Sequence, residues 1–123
     1  MVLVINDNQK LSEINDEFRL LFPFLKLEFF KHKHGTHESN AKKDMLNPEL
    51  TLKRARRLHN EGAIVIKENM LVSDLEQLFQ NVFGISAQVF RKSGRSWLET
   101  SVTDDWTLKR QNEEGKELSN LAG

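Results

Sequence analysis

"VLVI" (residues 2–5) is apolar at four consecutive positions, and "AIVI" (63–66) shows the same pattern in the second half of the chain. Segments of this length that are apolar at both odd and even positions, and rich in β-branched residues, are typical of strands buried on both faces. Strands of that kind lie in the interior of a sheet. We therefore expect both segments to be central strands, and this expectation decides the fold.

Helices are predicted on either side of the second of these strands and after the first. Apolar residues recur at helical spacing over 11–21 and again over 75–82. Ser73 and Glu76 have the spacing of a capping box, which marks the start of the later helix. A shorter basic segment, 51–62, predicts a further helix that ends at a glycine.

A β-hairpin is predicted near the C-terminus. "SAQVFRK" (86–92) and "RSWLET" (95–100) read as paired strands around a Ser-Gly turn at 93–94. A two-residue turn there places Phe90 opposite Trp97, and a three-residue loop shifts the register by one residue. Both registers are compatible with the sequence.

The order of these elements indicates the fold class. "LKLEFFKHKH" (25–34) alternates between apolar and polar residues, as a half-covered edge strand does. The order β-α-β, then a loop, then β-α-β-β predicts an α+β fold of the ferredoxin-like type, a split β-α-β sandwich with an extra C-terminal hairpin strand. We expect one domain over residues 1–123, with a mobile loop at 35–50 and a helical C-terminal tail at 101–123. No internal repeat is apparent in this order.

Composition excludes several classes of protein. Eighteen basic and eighteen acidic residues leave no net charge, so the surface as a whole is not a trap for polyanions. The chain has no cysteine, which excludes disulfides, thiolate catalysis and cysteine-bearing zinc sites. Apolar runs are too short for a membrane span or a signal peptide. We expect a cytoplasmic protein that does not enter a membrane.

One face of the predicted sheet needs a cover. Helices on one side leave apolar residues of the central strands on the other, and a soluble monomer rarely exposes such a surface. The C-terminal tail with Trp106, a second copy of the chain or single-stranded RNA could cover it. RNA is the least favoured cover because bases stack on aromatic rings, and "VLVI" and "AIVI" carry none.

The hairpin tip concentrates positive charge. Arg91, Lys92 and Arg95 surround Ser93, and Trp97 follows on the next strand. One interpretation is a solvated turn, and the other is a contact for an anionic or acidic partner.

Metal and catalytic sites have little support. His32, His34 and His37 in "HKHGTHE" could hold zinc, but their spacing is short and we assign no metal. The basic run "KRARR" (53–57) is either a solvated face or a phosphate contact. No glycine-rich phosphate loop, nucleophile elbow or His-Glu-x-x-His motif is present, so we assign no cofactor and no catalytic residue.

The pieces "LFPFLKLEFF", "LVSDLEQLF…FGISAQVFRKSG" and "WLETSVTDDWTLKRQNEEG" resemble a family of small uncharacterised bacterial proteins. This resemblance implies a ferredoxin-like fold and no activity. It also implies that hairpin and tail form one unit, in which Trp106 docks near the hairpin and Asp104 either caps the tail helix or pairs with a hairpin cation.

Taken together, these features predict a non-enzymatic cytoplasmic module that binds a protein partner or itself through the last hairpin and the tail. The alternatives are a module that binds single-stranded RNA, and a small metal-binding protein or enzyme. The residues predicted to form the binding surface are Arg91, Lys92, Ser93, Arg95, Trp97, Asp104 and Trp106.

Overall fold

The computed structural model describes residues 1–31 and 42–122, and within them the chain forms five strands and four α-helices. A single 3₁₀ turn, Lys42–Asp44, precedes the second helix. The elements are β1 (Val2–Ile5), α1 (Leu11–Leu21), β2 (Leu25–Phe30), α2 (Leu52–Ala55), β3 (Gly62–Val65), α3 (Val72–Asn81), β4 (Ser86–Ser93), β5 (Ser96–Glu99) and α4 (Leu108–Ala122).

Two antiparallel sheets confirm the α+β class. One sheet contains β1 and β3, and the other has the order β2-β4-β5. A single sheet with the ferredoxin-like split β-α-β order is not confirmed, because the described strands form two sheets and β2 pairs with β4. Helices α1, α3 and α4 pack against the three-stranded sheet.

The two halves of the chain are related by an internal repeat. Residues 2–22 align with residues 63–83 at a constant spacing of 61 positions, and the apolar residues of both segments are buried in the same core. The equivalent core pairs are Leu3 and Ile64, Ile5 and Ile66, Leu11 and Val72, Ile14 and Leu75, Phe18 and Phe79, and Phe22 and Phe83. This repeat is not evident from the sequence alone, because only three of these six pairs are identical residues and the other three share only an apolar character.

The string "TLKR" completes the repeat, at 51–54 and again at 107–110. In each copy the threonine hydroxyl accepts a hydrogen bond from the backbone N–H of the arginine three residues later, at 3.4 Å for Arg54 and 3.1 Å for Arg110. Leu52 and Leu108 in the same strings are fully buried. The spacing between these two copies is 56 and not 61, because the intervening loops differ in length.

Strand register relates the two halves by a pseudo-twofold axis that passes between β1 and β3 and between β2 and β4. Leu3 pairs directly with its repeat equivalent Ile64. In the other sheet Leu27 pairs with Val89, and the N–H groups of these two residues donate equivalent hydrogen bonds to helix side chains. The Leu27 N–H donates to Asn15 at 2.7 Å, as the Val89 N–H donates to Glu76 at 2.9 Å. Each sheet therefore contains one ladder that pairs the first half of the chain with the second.

The capping box predicted at Ser73 and Glu76 is absent. The N–H groups of Val72 and Ser73 at the start of α3 donate to the backbone carbonyls of Trp106 and Asp104, at 3.0 and 2.8 Å. Glu76 is instead buried and accepts the hydrogen bond from β4. The backbone carbonyls of the tail thus accept the hydrogen bonds from the first N–H groups of α3 that a side-chain cap accepts in an isolated helix.

Two other segments differ from the prediction. Helix α2 ends at Ala55, well before residue 62, because Arg56 is extended and its side chain is buried. Of the loop predicted at 35–50, residues 42–50 are hydrogen-bonded to neighbouring elements: the Leu46 N–H donates to the Phe29 carbonyl, and the Leu50 carbonyl accepts from α1. Residues 32–41 lie outside the described part of the chain.

The expectation that β1 and β3 are buried on both faces is wrong. Leu3 and Ile64 point into the core, whereas Val2, Val4 and Val65 are exposed by 57%, 52% and 57%. The reason is that these strands pair only with each other and have no layer on their outer face within the described residues. The tail does not cover this face, since α4 packs on β4 and β2. We name Val2, Val4, Ala63 and Val65 the valine face.

The repeat predicts matched costs for two substitutions. Leu52→Ala and Leu108→Ala each remove a fully buried side chain at an equivalent position. Each should lower the free energy of unfolding by about 2–5 kcal/mol, measured by chemical denaturation. Leu20→Ala, at a position 81% exposed, is the control and should change it by less than about 0.5 kcal/mol. A large cost at only one of the two leucines would contradict the structural equivalence.

Candidate functional site

The β4–β5 hairpin divides the predicted cationic tip between two faces. Ser93 pairs with Ser96 and Lys92 pairs with Trp97, so the turn is Gly94-Arg95 and neither predicted register is correct. Gly94 adopts φ 60°, which places the positive φ at the first central position of the turn. Because side chains alternate along a strand, Arg91 and Lys92 point to opposite sides of the sheet.

On one side of the sheet, Arg91 belongs to the contact between the hairpin and α4, which we name the α4 dock. Its guanidinium donates to the Gln111 side-chain oxygen at 3.0 Å. The Gln111 amide nitrogen donates to the carbonyl and the hydroxyl of Thr103, both at 2.8 Å. Gln111 is fully buried, so these hydrogen bonds are shielded from water. The hairpin, the turn at Thr103 and α4 are therefore joined through one amide.

Trp106 lies in the same dock. The guanidinium carbons of Arg110 and Arg91 lie 3.7 and 5.6 Å from the centre of its ring. Arg91 on β4 links Trp106 to the hairpin, in agreement with the docking of Trp106 that the resemblance implies, whereas Arg110 joins Trp106 to α4 within the tail. Trp106, Arg91 and Arg110 thus act together to fix the position of α4.

Asp104 does not cap the tail helix. Helix α4 begins at Leu108, and the cap is Thr107, whose hydroxyl accepts from the Arg110 N–H. Asp104 is buried below the tail, where its carbonyl accepts from Ser73. Its place in the fold is structural, at the start of α3.

On the other side of the sheet, three cations surround Trp97. Arg19 and Lys26 lie 5.2 and 5.1 Å from the centre of the indole ring, and Lys92 lies 6.0 Å from it. Lys26 also lies 5.3 Å from the ring of Phe90. We name these five residues the Trp97 patch.

The Trp97 patch keeps a surplus of positive charge. Lys26 forms a salt bridge with Glu28 at 3.2 Å. Across residues 1–31 and 42–122, Arg19 and Lys92 form no salt bridge. A cation held by a π face remains charged, because the ring contributes a quadrupole and no counter-charge. The patch can therefore attract an anion.

Sequence reasoning found Lys92 and Trp97 but missed Arg19 and Lys26. Arg19 is on α1 and Lys26 is on β2, both far from the hairpin in sequence. The β2–β4 register, which pairs Lys26 with Phe90, brings Lys26 to Trp97, and the packing of α1 on β2 brings Arg19 there. The alternation of apolar and polar residues over 25–34 predicts a strand, but it does not predict that this strand pairs with β4.

Ser93 and Arg95 stay at the tip. Ser93 is in the last pair of the hairpin, and Arg95 is exposed in the turn. In the described part of the chain no ion pair or ring contact links either residue to Trp97. The seven predicted site residues are thus distributed over the α4 dock, the Trp97 patch and the tip.

A separate polar cluster anchors the chain after α2. The buried guanidinium of Arg56 donates to Asp7 at 2.9 and 3.2 Å and to the Phe83 carbonyl at 2.7 Å. His59 Nδ1 lies 2.9 Å from the second oxygen of Asp7. Desolvation raises the pKa of the Asp7 carboxyl, but the hydrogen bonds from Arg56 and His59 outweigh it and hold that pKa below its ordinary value.

The described residues contain no candidate for a metal site or a membrane span. Among the described residues, no group of three or more histidine, aspartate or glutamate side chains could hold a metal ion. His32, His34 and His37 lie outside those residues. No described helix combines the length and the apolar character that crossing a bilayer requires.

Comparison with known proteins adds no relative, because no family model, curated protein or solved structure matches the chain. The resemblance to a bacterial family stays a prediction. Any function must therefore be argued from the geometry of the surfaces above.

The lowered pKa of Asp7 predicts a pH dependence. The unfolded state binds the proton more readily than the folded state, so the Asp7 contribution is present above pH 3.8 and is lost as the pH falls through the lowered folded-state pKa. Asp7→Asn should destabilise the protein at neutral pH, and the difference from wild type should shrink below that window. Denaturation at several pH values measures it. Asp16→Asn, at an exposed carboxylate, is the matched control, and an Asp7→Asn difference that is constant with pH would disprove the role of ionisation.

Proposed function

We propose that this chain is a non-enzymatic protein-interaction module that binds an acidic segment of a partner protein on the Trp97 patch. The observation that carries this proposal is the convergence of Arg19, Lys26 and Lys92 on one half-buried indole. A large aromatic side chain surrounded by cations provides an apolar anchor, and the positive charges around it favour a negatively charged partner.

The electrostatics favour an acidic partner. Each cation–π contact contributes about 0.5–1 kcal/mol at an exposed site, which orders the side chain without neutralising it. Pre-ordered cations lose less conformational entropy when a carboxylate binds. Within the described residues Glu28 pairs with Lys26, and Glu99 lies opposite Phe90 on the same face, so two carboxylates stand beside three cations and a net positive charge remains. The patch therefore offers an acidic segment both attraction and a fixed geometry.

The tail supports this surface without belonging to it. Gln111 and Trp106 hold β4 from the opposite side through Arg91. Because Arg91 and Lys92 are adjacent on β4, fixing one restrains the other. In this proposal Arg91, Asp104 and Trp106 are positioning residues, Lys92 and Trp97 contact the partner, and Ser93 and Arg95 lie at the rim.

Single-stranded RNA is less well matched to the same patch. Modules that bind it stack successive bases on several accessible rings. Here Phe90 is only 8% exposed and the other ring of the patch is Trp97, which is half-buried. One accessible ring suits a single aromatic or aliphatic anchor better than a run of bases.

The test is charge reversal at the patch. A glutamate-rich peptide should bind at low salt, with its Kd measured by calorimetry, and Lys92→Glu should raise that Kd about tenfold, equivalent to about 1.4 kcal/mol. Lys116→Glu, at an exposed cation on α4, is the control with the same change in net charge. Trp97→Phe should keep part of the affinity that Trp97→Ala loses.

Two outcomes would refute the proposal. Equal weakening by Lys92→Glu and Lys116→Glu would show that only net charge matters. A uridine oligonucleotide that binds more tightly than the peptide, and whose binding is lost in Lys92→Glu, would show that the patch binds nucleic acid and not an acidic segment. Melting temperatures of the variants show whether each one is folded.

Self-association is a second candidate, and the valine face is the observation that favours it. Val2, Val4 and Val65 form one exposed apolar surface with Ala63. A standard interface buries about 800 Å² of surface on each partner, and four small side chains bury less than that. The association would therefore be weak.

For the valine face we expect a mass that increases with protein concentration in light scattering. Val4→Lys should keep the protein monomeric, whereas Val4→Thr, which keeps the shape and the β-propensity, should have a smaller effect. A wild-type mass of one chain at every concentration would rule this candidate out.

A further inference from the structure

A cleft of about 800 Å³ opens at the end of the β2–β4 ladder that lies away from α4. Its size is within the range of about 300–1,000 Å³ that is usual for small-molecule sites. The lining residues are Phe30, Lys31, residues 54–58, Gln80, Asn81 and residues 84–86. None of these residues is among those of the Trp97 patch or the α4 dock.

The internal repeat explains why this space is open. Arg54 and Ala55, which line the cleft, are equivalent to Arg110 and Gln111 of α4. In the second half α4 continues for 15 residues and covers its end of the ladder, where Gly115 meets Phe24. In the first half α2 stops after four residues. The place that α4 fills in one half is therefore a cleft in the other.

The cleft is strongly cationic. Lys31, Arg54, Arg56 and Arg57 line it, and none of the described lining residues is a carboxylate, although the chain as a whole has no net charge. Arg56 is neutralised by Asp7. The other three cations form no salt bridge with any of the described residues.

A single replacement leaves Arg54 available. In the second half the equivalent Arg110 packs on Trp106, 3.7 Å from its centre. The first half has Leu50 in place of that tryptophan, and leucine offers no π face. Among the described residues no aromatic ring packs on the Arg54 guanidinium, which lines the cleft instead.

The walls of the cleft are held in place by buried contacts. The Arg56 guanidinium is bonded to Asp7 and to the Phe83 carbonyl, which ties the segment 54–58 to the loop after α3. Phe30 and Ile85 form a buried apolar floor. A fixed cationic rim above an apolar floor suits a ligand that is charged at one end and flat or apolar at the other.

We propose that this cleft binds a small phosphate-bearing organic molecule of about mononucleotide size, with its phosphate held by Arg54, Arg57 and Lys31. Guanidinium groups bind phosphate oxygens through paired hydrogen bonds, and a lysine adds a point charge. The amide side chains of Gln80 and Asn81 offer donors and acceptors to the rest of the ligand. This site is independent of the partner-binding patch.

The experiment is a titration of the full chain with adenosine monophosphate, adenosine and inorganic phosphate, each up to millimolar concentration. The readout is the NMR signals of the Gln80 and Asn81 side-chain amides together with the Kd from calorimetry. We expect adenosine monophosphate to shift these amides and to bind more tightly than either fragment. Arg54→Ala and Arg57→Ala should each raise its Kd about tenfold.

Lys53→Ala is the matched control, because Lys53 is an exposed cation beside Arg54 that does not line the cleft. It should leave the Kd within about twofold of wild type. Equal affinities for adenosine and its monophosphate, equal losses at Lys53 and Arg54, or no shift at Gln80 and Asn81 would each overturn the proposal. Preference for an oligonucleotide or an acidic peptide at the same residues would also overturn it, since the occupant would then be a macromolecule.

Discussion

Strand β1 pairs with β3 and strand β2 pairs with β4, so the backbone hydrogen bonds of each sheet are shared between the two halves of the chain. Buried N–H and C=O groups must be paired, and for β1, β2 and β3 the paired strand belongs to the other half of the chain, whereas β4 also pairs with β5 of its own half. The helices are instead tied within their own half, since α1 and α3 each donate their first N–H groups to the segment that precedes the "TLKR" string of the same half. All other features of the fold are arranged around this exchange.

The same exchange allows the two halves to diverge. Leu52 and Leu108 keep both copies of "TLKR" in the core, so the residues that follow can change without loss of the frame. After Leu108 the chain continues as a helix that covers the ladder, and after Leu52 it turns away at Arg56. One end of the β2–β4 ladder is thus covered by α4, and the other end is open at the cleft. The difference is local, because it lies in the segment after each string.

Much of the secondary structure could be predicted from the sequence, because it rests on local patterns. The strands at 2–5 and 86–92, the helices at 11–21 and 75–82, and the hairpin all carry a period or a turn signal. The strand pairing could not be predicted, since a period says which face is buried and not which strand is adjacent. Consecutive apolar residues also gave no way to tell a central strand from a two-stranded sheet with exposed valines.

The site residues show the same division. Trp97 and Lys92 were found because they are close in sequence, whereas Arg19 and Lys26 reach the indole only through the fold. Glu76 has the spacing of a helix cap but bonds β4, because the carbonyls of the tail already satisfy α3. A long-range backbone contact replaced a local one in that case. Sequence patterns describe local alternatives, and long-range contacts decide between them.

The crossed pairing also has a consequence for how the protein is made. A ribosome releases the N-terminal half first, and that half emerges with β1 and β2 lacking the strands they pair with. Its apolar side chains and unpaired strand edges stay available to chaperones or to neighbouring nascent chains until β4 has left the exit tunnel. Translation speed over the second half therefore sets how long this exposure lasts.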